Sequence, residues 1–296
     1  MPSAAARSAL VPVAVAVGVM VVWGATPIAT RLALEDMQPL VLACLRTVLA
    51  GLLAIPLLVV MRQGLPERSR PRILLGVSAA TGFVIFPIVY TEGQQRTSAV
   101  HGVMILAALP IFTGAYAALV ARRRPARAWM AGSAVALVGE VVLIAGRGGS
   151  ASHATLGGDL LVLAAALCVS LGYVAGAMLP PRGLSSLATT LWGVVLGTIV
   201  VAPLLLTFLA RDGLPEAGAT AWGAVAFLAV VTSILGYVGW YWALDRGGIA
   251  RTATLQFLQP ISGFVLAAVI LGESVTVPIA VGSALIVGGI VIAQRA

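Results

Sequence analysis

Lysine and asparagine are absent from this chain of 296 residues, and charge of any kind is scarce at nine per cent. The net charge of +8 is therefore carried by arginine alone. Both missing residues use codons beginning AA, so their joint absence reflects coding composition rather than function. Two cysteines, Cys44 and Cys168, sit in apolar runs and form neither a metal nor a redox spacing. Two histidines, His101 and His153, are too few and too isolated for a catalytic or metal-binding set. There is no HExxH, no paired-carboxylate motif and no Ser-His-Asp arrangement, and the Gly146–Gly149 cluster lacks the strand and helix of a nucleotide loop. No metal and no cofactor is expected, and an enzyme is disfavoured.

What the chain has in quantity is apolar surface: 60% hydrophobic residues and a mean hydropathy of +1.06. A soluble domain of this length could not bury that much, so the solvent is lipid. Ten apolar stretches of membrane-spanning length are expected, near 10–33, 38–61, 72–92, 96–120, 126–145, 156–179, 185–209, 220–244, 249–271 and 276–294. Arg7 before the first run resembles a signal peptide. The run continues past Trp23 and Pro27, so an uncleaved helix is expected. The arginines lie in short loops rather than one patch, which argues against nucleic acid as a partner. Thirteen of them fall on the side of the N-terminus. Only Arg31, Arg96, Arg147 and Arg211 fall on the other, so both termini are expected in the cytoplasm.

The chain also matches itself at an offset of 150. Pro260 falls on Pro110, Gly282 on Gly132, Ser283 on Ser133, Ala284 on Ala134, Gly289 on Gly139 and Arg246 on Arg96. Residues 1–150 and 151–296 then read as two five-helix repeats. Five is odd, so the second repeat enters the membrane inverted. That plan is common among secondary transporters, with the substrate site between the repeats.

Polar side chains inside spans are costly and normally face the bundle. Trp23, Thr26 and Thr30 share one helical face, as do Thr252, Gln256 and Gln259. Ser170 with Tyr173, and Ser233 with Tyr237 and Trp240, form further stripes. Phe83, Pro87 and Tyr90 are the 150-offset partners of the Ser233 stripe, and His101 and Met104 follow on the fourth span. The expected substrate-binding set is Trp23, Thr26, Tyr90, His101, Met104, Tyr173, Tyr237, Trp240, Gln256 and Gln259, lining a central cavity. For the glutamines, plain helix-to-helix bonding is an open alternative. For Trp240, Tyr241, Trp242, Trp129, Trp192 and Trp222 the alternative is an interfacial aromatic belt. Arg46 is expected to pair with Glu92 or Glu140, as a static brace or as a coupling cluster with His101. Pro27, Pro87, Pro110, Pro203 and Pro260 are expected to interrupt their helices, and Pro110 and Pro260 could act as paired hinges. The stripes Ala128, Gly132, Ala136 and Ala280, Ala284, Gly288 are expected to pack a peripheral helix onto the bundle.

Several segments together resemble the EamA type of the drug/metabolite transporter superfamily. They are Val22-Trp23-Gly24-Ala25-Thr26-Pro27, Leu45-Arg46-Thr47, Ser98-Ala99, Pro110-Ile111-Phe112, Gly158-Asp159-Leu160-Leu161, Ala243-Leu244, Gln259-Pro260 and Leu271-Gly272-Glu273. One departure is Arg122-Arg123-Arg124, which stands where the second half keeps Gly272-Glu273. The resemblance implies a ten-helix exporter in a bacterial cytoplasmic membrane, moving amino acids or related metabolites, some of them aromatic. A monomer or weak homo-oligomer in the lipid bilayer is expected. Efflux of cationic drugs, a membrane-embedded enzyme and a lipid scramblase are the alternatives.

Overall fold

The computed structural model describes residues 4–97, 105–106, 108–145, 155–271 and 277–295. Its described residues contain helices and no strand. The elements are α1 (Ala4–Gly24), α2 (Thr26–Leu34), α3 (Pro39–Val60), α4 (Ser69–Arg96), α5 (Leu109–Ala121) and α6 (Arg127–Ala145). After them come α7 (Leu156–Ala177), α8 (Ser186–Asp212), α9 (Ala219–Gly247), α10 (Ile249–Ala253), α11 (Leu258–Leu271) and α12 (Val277–Ala293). Six described helices are long and apolar enough to cross a membrane: Leu10–Leu34, which joins α1 to α2, and α3, α4, α7, α8 and α9. The outward faces of these helices are aliphatic, with Val59, Val60, Leu156, Ile199 and Val200 largely exposed. Lipid, which offers nothing to backbone polar groups, is the solvent such a helical surface fits.

Proline marks most of the breaks. Pro27 and Pro110 stand in the first turns of α2 and α5, just after the chain leaves regular helix at Ala25 and Ala108. Pro87 stands in the first turn after a π-helical stretch, Ala80–Ile85, inside α4. Pro260 follows a 3-10 turn, Thr254–Phe257. Pro203 departs from expectation, since α8 runs through it without a break. A second π-helical stretch, Phe227–Gly236, lies in α9. The two wide turns overlap at the 150-residue offset, and such turns recur at functional sites. Of the fourth expected span, near 96–120, residues 98–104 and 107 lie outside the described residues, 105–106 are helical and α5 covers Leu109–Ala121.

The motif around Gly158 has a structural use. A Cβ on Gly158 would lie 2.6 Å from the Arg96 carbonyl, so only glycine lets α7 start against the end of α4. Thr97 Oγ1 donates to Asp159, and Thr155 donates from both N and Oγ1 to the Arg96 carbonyl. Thr155 Oγ1 also caps α7 by accepting from Gly158 N.

Helices α6 and α12 pack backbone to backbone. A Cβ on Gly132 would lie 2.4 Å from Ala293 N, one on Gly139 2.7 Å from the Gly282 carbonyl, and one on Gly289 2.5 Å from Ala136 N. The expected stripe in α6 is thus used at Gly132 and Ala136. The one in α12 is corrected: Ala280 and Ala284 are exposed, and Gly288 meets open space. The contact row there is Gly282, Ile286, Gly289 and Ala293. A strict four-residue spacing drifts off a contact face that alternates steps of four and three. Between α3 and α8, Thr198 Oγ1 donates to the Thr47 carbonyl at 3.0 Å.

Candidate functional site

A narrow cavity of about 30 Å³ lies at the centre of the bundle. The first half lines it with Trp23, Thr26, Arg46, Phe86 and Tyr90, together with Leu106 and Leu109. The second half supplies Tyr173, Thr232, Tyr237 and Gln259.

Trp23 organises the aromatic wall. Its ring stacks on Tyr173, with centroids 5.5 Å apart and planes 17° apart, and meets Tyr237 edge-on at 5.5 Å. Trp240 packs behind it at 5.7 Å. The indole Nε1 donates to the Thr232 carbonyl at 3.2 Å, and a Cβ on Gly236 would strike that nitrogen at 2.4 Å. Gly236 is therefore the seat of the Trp23 ring. Pro27 has no N–H to close on the Trp23 carbonyl in the helical pattern. Gln259 Nε2 donates to that carbonyl instead, at 3.3 Å, which ties α11 to the break between α1 and α2. Tyr237 OH donates to the Gly82 carbonyl in the first π stretch. Tyr90 stacks on Phe86 at 5.1 Å, and its hydroxyl has no partner.

Six of the expected residues thus meet at the cavity: Trp23, Thr26, Tyr90, Tyr173, Tyr237 and Gln259. Trp240 is fully buried behind them. The belt alternative for Trp240 and for Tyr241 is corrected, because both are fully buried and Tyr241 OH bonds Ser78 Oγ at 2.7 Å. Trp242 is half-buried with the Arg246 guanidinium 4.7 Å over its ring. Trp129 and Trp192 donate to backbone carbonyls of other segments, Ala250 and Gln63. Gln256 lies off the cavity, in the 3-10 turn, accepting from Thr113 Oγ1 at 3.4 Å with its Nε2 unpartnered. His101 and Met104 lie outside the described residues, as does the Glu140 side chain.

The expected Arg46–Glu92 pair does not form. Glu92 bonds Arg96, one turn along the same helix, at 2.8 Å and at the partly exposed end of α4. Arg46 is instead a lining residue of the cavity, 3% exposed. Its Nη2 donates to Thr232 Oγ1 at 3.2 Å and to Ser233 Oγ at 3.0 Å, while Nε and Nη1 have no partner. Both hydroxyls spend their own hydrogens on the Leu228 carbonyl. Two neighbouring residues reach one guanidinium because both stand in the π-helical stretch, where the wider turn brings adjacent side chains to one side. Thr232 was missed by helical periodicity for that reason. Among the described residues no carboxylate pairs with Arg46, and no three His, Cys, Asp or Glu side chains cluster as metal ligands.

A larger groove of about 440 Å³ lies elsewhere, against Trp129, Arg123, Arg124 and Arg251. It shares no residue with the central cavity.

The sequence matches the EamA-like transporter family over residues 10–145 and again over 156–294. It is 36% identical over 262 residues to the transporter YdeK of Bacillus subtilis (strain 168), covering 88% of each chain. It is 32% identical to a probable amino-acid metabolite efflux pump of Salmonella typhimurium, covering 93% of this chain and 91% of that one. A probable terminal-alkyne amino-acid exporter of Streptantibioticus cattleyicolor is 31% identical, covering 77% and 75%. A solved crystal structure superposes with a TM-score of 0.74 at 20% identity, covering 97% of this chain and 98% of that one, a likeness of fold.

Proposed function

The chain belongs to the EamA-like transporter family, and from that premise we propose that it exports amino acids and related small metabolites by alternating access. The observation that carries this reading is the narrow aromatic cavity built by both halves of the chain. Room for about one water is far short of an amino acid, so loading requires the two halves to rearrange. The bulk of a side chain would rest on Trp23, Tyr173 and Tyr237, while Thr26, Tyr90 and Gln259 offer polar contacts.

Two inverted five-helix repeats, 1–150 and 151–296, giving ten spans, are part of the proposal. Contacts between offset-related residues support it. A Cβ on Gly197 would touch Thr47 at 3.3 Å, at an offset of 150. Gly132 faces Gly289 while Gly139 faces Gly282, a reciprocal pair. Residues that touch their own counterparts are what a two-fold axis relating the halves produces.

The test is transport in proteoliposomes with a labelled amino-acid panel, with and without a pH gradient. Uptake of at least one aromatic or aliphatic amino acid is expected. Trp23→Ala should cut it by about tenfold or more while the protein still elutes as a folded species, since a substrate contact and the wall it seals are both lost. No uptake of any amino acid by the wild type rejects the substrate assignment, and full activity of Trp23→Ala rejects this cavity.

The arginine distribution supports an orientation with both termini and the turn holding Arg122, Arg123 and Arg124 in the cytoplasm, in a bacterial inner membrane. Reporter fusions at the C-terminus and after Arg124 should both give cytoplasmic signals. A periplasmic signal after Arg124 reverses the orientation.

A further inference from the structure

Building on the export reading of the central cavity, we propose that Arg46 receives the ligand's carboxylate and that, among the described residues, no acidic counterpart exists for its ammonium. The substrates then extend beyond amino acids to hydrophobic and aromatic monocarboxylates.

The hydrogen-bond inventory of the cavity is weighted toward donors. Arg46 Nε and Nη1 have no partner, and a guanidinium can only donate. Thr26 Oγ1 and Tyr90 OH, which line the same space, are also unpartnered and have hydrogens to give. The acceptors beside Arg46 and Trp23 are already committed, and those that remain, Gln259 Oε1 and the hydroxyl lone pairs, are neutral. Thr232 Oγ1 accepts from Arg46, and the carbonyls of Thr232 and Trp23 accept from Trp23 Nε1 and Gln259. A group that only accepts, carries a full negative charge and is flat enough to meet a guanidinium satisfies this set, and a carboxylate is that group.

Charge gives the same answer. Arg46 is 3% exposed, and its two hydroxyl partners are neutral. A buried cation without an anion is costly, and a ligand carboxylate brings the cavity to zero net charge. The ammonium of a zwitterion restores the excess. Among the described residues no acid lines the cavity to receive it. Stacking of Trp23 on Tyr173 and of Phe86 on Tyr90 takes up one face of each of these rings. A molecule with the carboxylate and the apolar body, but no ammonium, gives up no ion pair with the described residues of this site. An amine without the carboxylate would place two positive charges in one dry space and is excluded.

Three probes that differ in one group each test this on the full-length protein: L-phenylalanine, 3-phenylpropanoate and 2-phenylethylamine. Competition against labelled phenylalanine uptake in proteoliposomes, at neutral pH, avoids the passive leak of the free acid. Unlabelled 3-phenylpropanoate should compete within about threefold of phenylalanine, and the amine should fail to compete. Arg46→Gln should weaken competition by the acid about tenfold to a hundredfold, with Arg46→Lys in between. Ser233→Ala, which keeps the guanidinium but removes one of its holds, should weaken it about threefold and covers the case in which Arg46→Gln does not fold.

Competition by the amine as strong as by the acid overturns the proposal. Uptake of phenylalanine that 3-phenylpropanoate cannot inhibit also overturns it, because the ammonium is then required. If phenylalanine is not carried, thermal unfolding in detergent takes over. A rise in Tm with 3-phenylpropanoate in the wild type but not in Arg46→Gln sustains the carboxylate site while the amino-acid reading falls. No shift in the wild type ends both.

Discussion

Arg46→Met is expected to leave a folded, membrane-inserted protein with a Tm at or above that of the wild type, while transport falls about a hundredfold. These opposite signs follow from what surrounds the guanidinium. A buried arginine braced by a carboxylate loses about 3–5 kcal/mol when truncated, because the partner is left as an unpaired charge. Here the partners are the Thr232 and Ser233 hydroxyls, and both keep their bonds to the Leu228 carbonyl when Arg46 is gone. Methionine fills much of the same space with an apolar chain and removes an uncompensated charge at 3% exposure. On the proposed carboxylate role, the charge is retained at the expense of stability because it acts on the ligand, a trade common at functional sites. Thermal unfolding in detergent and liposome transport on the same preparation decide the matter. A fall in Tm that is recovered in the double variant Arg46→Met with Glu140→Gln would instead make Arg46 half of a brace.

Gly139→Val is expected to destabilise the protein by about 3 kcal/mol, at the upper end for overpacking a tight contact. Gly288→Val, in the helix that Gly139 packs against, should be close to neutral. At Gly139 even the first carbon would lie 2.7 Å from the Gly282 carbonyl and 2.8 Å from Ile286 N. Those are backbone atoms, which move only if the whole of α12 moves away from α6. Small residues at such crossings are what allow helices to associate in lipid, where no hydrophobic force drives them together. Gly288 has nothing within 4 Å of its would-be Cβ. Similar Tm losses at both positions would mean that α6 and α12 meet on another face.

Much of the candidate site is legible in the sequence, for a local reason. The rise and turn of a helix are constant, so Trp23 and Thr26 must share a face, and so must Gln259 with Gln256 and Thr252. Polar and aromatic faces on apolar helices must turn inward, which identifies Tyr90, Tyr173 and Tyr237 before any coordinates exist. The limits of that argument show at Gln256 and Trp240. Both lie on the correct stripes, yet Gln256 is off the cavity because a 3-10 turn tightens the chain at Thr254–Phe257, and Trp240 stands behind the cavity wall. The loss of the Trp23 carbonyl's partner is likewise written in Pro27, whereas its replacement by Gln259, 236 residues away, is not.

Composition and long apolar runs by themselves determined that this is a helical chain made for lipid, and helical spacing picked out an inward-facing aromatic set. Only the tertiary structure decided that Arg46 meets hydroxyls rather than Glu92, that Trp23 lies flat on Tyr173, and that α12 turns Gly282 and Gly289 to α6 rather than Gly288. The spacing of side chains along one helix is set by covalent geometry and is written in the sequence. Which side chains meet across helices depends on the rotation and depth of each helix, and those are settled by the packing of the whole bundle.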